Sequence, residues 1–107
     1  MRQILGNWLP VAGTGTYTIL EIMIPNDENW IIDFISAADS TLYVPRLILE
    51  INGSREIDSA VYAQSEGQVL NKLVQGGTYL KLISNVYRAA PGIIAGLIGV
   101  NRLKTGE

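Results

Sequence analysis

The chain has 107 residues, 48% of them hydrophobic and 17% charged, with eight Lys+Arg against ten Asp+Glu and neither His nor Cys. That length supports one domain able to bury its own core without disulfide or metal staples. The missing residues exclude disulfides, thiolate metal sites, imidazole ligands, cysteine nucleophiles and histidine general bases, so an enzyme here would run on carboxylates, Lys, Tyr or hydroxyls alone. A formal charge of -2 leaves no basic footprint for a phosphate backbone, which argues against nucleic acid as a partner.

In chain order, no apolar run of signal-peptide length opens the sequence. Gly13-Thr14-Gly15-Thr16 reads as a turn: it lacks the Gly-Lys-Ser/Thr ending of a phosphate loop, and a strand pattern follows it instead of a helix. Thr16–Pro25 alternates, with Leu20, Ile22 and Ile24 on one face and Tyr17, Ile19, Glu21 and Met23 on the other. The polar turn Asn26-Asp27-Glu28-Asn29 gathers oxygens but has no Asp-x-Asp-x-Asp-Gly spacing for calcium, so no metal is expected. Trp30–Ser36 sets Trp30, Ile32 and Phe34 against Ile31, Asp33 and Ile35, and Ala38–Thr41 is a further turn cluster.

Arg46–Asn52 sets Leu47, Leu49 and Ile51 inward and Arg46, Ile48, Glu50 and Asn52 outward. Asn52-Gly53, able to take positive φ at both residues, is a strong hairpin signal. Ser65–Val74 fits a strand or a short helix, the helix weakened by Gly67 in its first turn. After the Gln75-Gly76-Gly77 turn, Thr78–Ser84 alternates Leu80 and Leu82 against Tyr79, Lys81 and Ile83. Ala90-Pro91-Gly92 breaks the chain once more before a last apolar strand, Ile93–Leu103. The longest apolar stretch, Ala89–Val100, includes Pro91 and is well short of the roughly 20 residues of a membrane-spanning helix. Breaks about every 10–25 residues between alternating segments predict an all-β, single-domain antiparallel β-sandwich or jelly roll.

No catalytic constellation emerges. Asp33, Asp39, Glu50, Glu56 and Asp58 could contain a glycosidase pair, which needs a separation of about 5–10 Å across a sugar cleft and one raised pKa, and the chain is small for a deep cleft. Asp33, between two large apolar residues, is the carboxylate to watch. Trp8, Trp30, Tyr17, Tyr43, Tyr62, Tyr79 and Tyr87 lack the basic groove of a base-stacking platform and read as core or interface anchors. In a strand Gly92, Gly96 and Gly99 mark a bulge, a bend or the close approach of another backbone, so the last strand reads as central or subunit-contacting.

The informative feature is apolar residues on both faces of the same strands. Ile19, Met23, Ile31, Ile35, Ile48 and Ile83 lie opposite the inward sets, where a lone sandwich would carry polar residues. Together with Trp8, Ile94 and Ile98 they are the candidate interface of an obligate, cyclic homo-oligomer. The competing explanation is that bulges shift the faces.

The succession of a strand ending in proline, then Trp30–Ala37, Val44–Gly53, Gln75–Leu82 and Pro91–Val100 resembles the small β-sandwich virion proteins of tailed bacteriophages. The resemblance is in particular to capsid decoration (cement) proteins and related tail or fibre domains. The resemblance covers most of residues 16–103 and rests on rhythm, with no invariant motif. It implies a homotrimer seated on a major capsid protein lattice, no catalytic residue and no cofactor, a virion location after synthesis in the host cytoplasm, and a chain divided into an N-terminal arm (1–15) and a sandwich (16–107). A carbohydrate-binding, lectin-like sandwich is the alternative, expected to show a row of exposed aromatics from Tyr43, Tyr62, Tyr79 and Tyr87. A small acid-based enzyme ranks third.

Overall fold

The computed structural model of the chain describes residues 1–39, 46–60, 65–86 and 92–104, with the side chains of 38–39, 46, 56–60, 65–68 and 86 outside that description. Eight strands follow one another: β1 (Arg2–Val11), β2 (Gly15–Met23), β3 (Glu28–Asp39), β4 (Arg46–Ile51), β5 (Ser54–Ala60), β6 (Ser65–Val74), β7 (Tyr79–Val86) and β8 (Gly92–Lys104). They form two four-stranded antiparallel sheets, ordered β1-β8-β3-β6 and β2-β7-β4-β5. The pairings β1–β8, β2–β7, β3–β6 and β4–β5 nest inside one another, which is a long hairpin rolled up on itself: a jelly-roll sandwich, as the alternation predicts.

The innermost turn is set by local chemistry. Asn52 and Gly53 have φ of 51° and 82°, the doubly positive pair of a tight hairpin, where Asn tolerates and Gly favours the left-handed region. Segment 65–74 is strand β6, not a helix; period two puts Leu70 and Val74 against the core, an arrangement that pairing with β3 rewards. Residues 2–11 of the segment expected to form an arm are strand β1, paired along its length with β8, and its Leu5, Leu9 and Val11 pack into the interior.

Two bulges decide which apolar residues face inward. In β2 the register with β7 passes from Thr18↔Ile83 to Leu20↔Leu82, so Ile19 is an extra residue and turns into the core beside Val11 and Ile94. In β3 the register with β8 passes from Ile32↔Val100 to Phe34↔Gly99, so Asp33 is the extra residue. Before it Trp30 and Ile32 point inward; after it Ile35 and Ala37 do, and Phe34 points out. The sequence expectation that Phe34 shares a face with Ile32, opposite Ile35, is corrected here, because strict period two does not survive an inserted residue.

Candidate functional site

The first sheet, β1-β8-β3-β6, presents an apolar face to its outside. Alternation sends Ile4, Gly6 and Trp8 of β1 outward, with Leu97 and Gly99 of β8, Ile31 and Phe34 of β3, and Val69 and Leu73 of β6. The register aligns them in rows across all four strands. One row runs Ile4–Gly99–Phe34–Val69, the next toward the chain ends runs Arg2–Asn101–Ile31–Leu73, and on the other side Gly6 stands beside Leu97 and Trp8 beside Ala95. Val69 is 85% exposed, Ile4 63%, Trp8 62% and Leu73 60%.

Two glycines flatten this face. A Cβ on Gly99 would enter the ring of Phe34, and one on Gly6 would meet Leu97 Cδ2 at 2.5 Å. Phe34 therefore lies across β8 and Leu97 across β1, in space that any side chain at those positions would take. Around the Asp33 bulge an open trough of about 710 Å³ crosses the sheet, lined by Arg2, Ile4, Asp33, Phe34, Val69 and Gly99 among others.

The outside of the second sheet is built differently. The register sets Glu21, Lys81, Glu50 and Arg55 in one row across β2, β7, β4 and β5, alternating in charge. Lys81 Nζ stands 5.6 Å from the centre of the Tyr79 ring. The Tyr79 hydroxyl bonds Glu21, and that bond, with burial behind it, raises the phenol pKa. Thr16 Oγ1 meets Asn85 Oδ1 at 2.8 Å nearby.

Of the interface residues expected from sequence, Trp8 and Ile31 lie on the apolar face. Met23 is exposed but belongs to the second sheet. Ile19, Ile35, Ile48, Ile83, Ile94 and Ile98 are corrected to interior positions: all are buried within the single chain. Bulges turn Ile19 and Ile35 inward, Ile94 and Ile98 are on the inward side of β8, and Ile48 and Ile83 are register partners on the far side of the second sheet that the chain itself covers. Ile4, Phe34, Val69, Leu73, Ile93 and Leu97 were missed as outward residues. Plain alternation in 2–11 and 65–74 would have flagged Ile4, Val69 and Leu73, whereas Phe34 needed the bulge.

The turn at 26–29 spends its oxygens on the protein. Glu28 accepts from Arg102 Nε at 2.6 Å and Nη2 at 2.8 Å, and from Trp30 Nε1 at 3.0 Å. The guanidinium also lies 5.3 Å from the Trp30 ring centre and donates to Gln3 Oε1 at 2.8 Å, tying β1, β3 and β8 together. The bonds from Arg102, then from Trp30, hold the Glu28 carboxyl at a pKa of about 2. Asn29 Oδ1 accepts from the Gly76 amide at 3.2 Å. Glu50 is in the charged row, and the side chains of Asp39, Glu56 and Asp58 lie outside the described residues. Tyr43, Tyr62 and Tyr87 also lie outside them, while Tyr17 is half-buried and donates to the Gly13 carbonyl at 3.0 Å.

Among the described residues no helix is long and apolar enough to cross a membrane. The sequence matches no protein-family model and no curated relative. Solved structures share the fold at low identity. The insecticidal delta-endotoxin Cry8Ea1 of Bacillus thuringiensis aligns at 11% identity and TM-score 0.50, over 91% of this chain and 20% of its own. A chain of infectious bursal disease virus, Gx strain, aligns at 13% and TM-score 0.50, over 100% of this chain and 33% of its own. The CBM36-1 domain of a multidomain xylanase from the hindgut metagenome of Trinervitermes trinervoides aligns at 6% and TM-score 0.49, over 100% and 99%. This chain thus spans a fifth and a third of the first two, and what it shares with them is the antiparallel β-sandwich.

Proposed function

We propose that the protein is a non-enzymatic structural component of a virion, acting as a capsid decoration (cement) protein that assembles as a homo-oligomer and binds a formed major-capsid lattice. The observation that carries this reading is the apolar outer face of the β1-β8-β3-β6 sheet, a surface suited to association and not to chemistry. The rolled topology, shared at low identity with part of a virus chain, supports it at the level of fold. The charges of the turn at 26–29 and of the second sheet are engaged in pairs and rows that hold strands together. Binding the assembled shell in preference to its free subunits would stabilise the shell by mass action.

Immunogold labelling of particles pelleted from the native source, with an antibody to this chain, tests the reading. Regular labelling of particle shells is the expected result. Label confined to the soluble fraction overturns it.

A further inference from the structure

We infer that the apolar outer face of the β1-β8-β3-β6 sheet is covered by a second copy of this chain, with the row Ile4–Gly99–Phe34–Val69 at the centre of the contact. The inference deepens the assembly reading above and rests on it, by naming the partner of that face.

Three observations point to a copy. The first is size. A face four strands wide at about 4.8 Å per strand, and about nine residues long at about 3.4 Å per residue, spans roughly 590 Å² in projection. Side-chain relief brings this toward the roughly 800 Å² that each partner contributes to a standard stable interface.

The second is charge. Among the described residues the trough holds one charge of each sign, Arg2 and Asp33. A copy therefore meets the face without net repulsion, whereas a polyanion or a strongly charged protein finds no field to follow. The third is relief. Phe34 and Leu97 lie flat over Gly99 and Gly6, so the middle of the face is smooth, while Val69 and Trp8 stand proud on the two outer strands. Smooth apolar sheet faces pack on each other with side chains interdigitating, as the two inner faces of a sandwich do. A partner that adds a strand would pair with an edge, β1 or β6, and would leave this face bare, since the face offers side chains and not backbone hydrogen bonds.

The test is sedimentation equilibrium of the full chain across the micromolar range, beside the variants Ile4→Asp with Val69→Asp and, on the other sheet, Met23→Asp. All three positions are exposed, so circular dichroism should show an unchanged fold. The expected result is an assembly whose mass is a multiple of 11.7 kDa, reduced to monomer by the double variant and retained by Met23→Asp. A monomeric parent chain, or an assembly indifferent to the double variant, overturns the inference. So does a monomeric parent that floats with phosphatidylcholine vesicles and loses flotation in the double variant, which would give the face to a membrane. The outcomes separate from those of the labelling experiment: a monomer that decorates particles defeats only this inference, and an assembly through this face that never labels particles defeats only the virion reading.

Discussion

The two sheets contain four strands each, share one pleat and one period, and enclose one interior, yet their outward surfaces are opposites. On the second sheet Glu21, Lys81, Glu50 and Arg55 form an alternating charged row that keeps that side in water. On the first, the equivalent outward positions are Ile4, Phe34, Val69 and Leu73, with glycines between them. A chain that was simply rich in apolar residues would place them on both outsides. On the second sheet the outward Ile48 and Ile83 are buried and Met23 is exposed beside the charged row, whereas on the first Ile4, Trp8, Val69 and Leu73 are all exposed on one face. That concentration gives the face its meaning, because an antiparallel sandwich satisfied by water alone would be polar there.

Aspartate at Ile48 breaks this comparison with the largest effect. Ile48 points to the outside of the polar sheet but is 1% exposed, beside its register partner Ile83. Ile48→Asp buries an unpaired charge and should lower unfolding free energy by about 3–5 kcal/mol, read from the urea midpoint. Val69→Asp, on the apolar face, should change it by no more than about 0.5 kcal/mol when both proteins are measured dilute enough to be monomeric. Equal effects would mean that the two outsides have been misjudged.

Gly99→Val comes next. Its side chain competes with the Phe34 ring for one space, and overpacking should cost about 1–3 kcal/mol. Adding Phe34→Ala should recover part of that loss, since the residues are in contact and their effects do not add. A strictly additive double variant would show that Phe34 does not lie over Gly99.

On the charged sheet, Lys81→Glu sets three carboxylates in one row and should cost about 0.5–1 kcal/mol, an amount that shrinks as salt is added. A loss independent of salt would assign Lys81 a packing role instead.

The effect confined to acid belongs to neither outside but to the clamp that joins β1, β3 and β8. The Glu28 carboxyl titrates at about 2 when folded, against an ordinary value of 4.5, so the folded value is depressed. Its contribution is complete above the unfolded value and fades as pH falls through the window between the two. Acid titration followed by tryptophan fluorescence should show stability declining from about pH 4.5 downward, and Glu28→Gln should flatten that part of the curve. A variant with the parent's acid limb would remove Glu28 from the cause.

The amino-acid sequence alone determined the fold class and several local structures. Period-two alternation in 46–52 and 78–84 put Leu47, Leu49, Leu80 and Leu82 in the core, where they are found. Asn52-Gly53 fixed its hairpin, because the left-handed backbone it needs is a property of those two residues and not of their surroundings. On the bulged strands, tertiary structure alone decided which apolar residues are inside. Ile19 and Ile35 read as outward from alternation, and each is buried because one inserted residue, invisible to periodicity, shifts the strand by a half-period against its neighbour. The face itself was decided in the same way. Ile4, Phe34, Val69 and Leu73 are far apart in the chain, and only the rolled pairing of β1, β8, β3 and β6 brings them onto one surface, since register between strands is set by the whole sheet and not by any one of them.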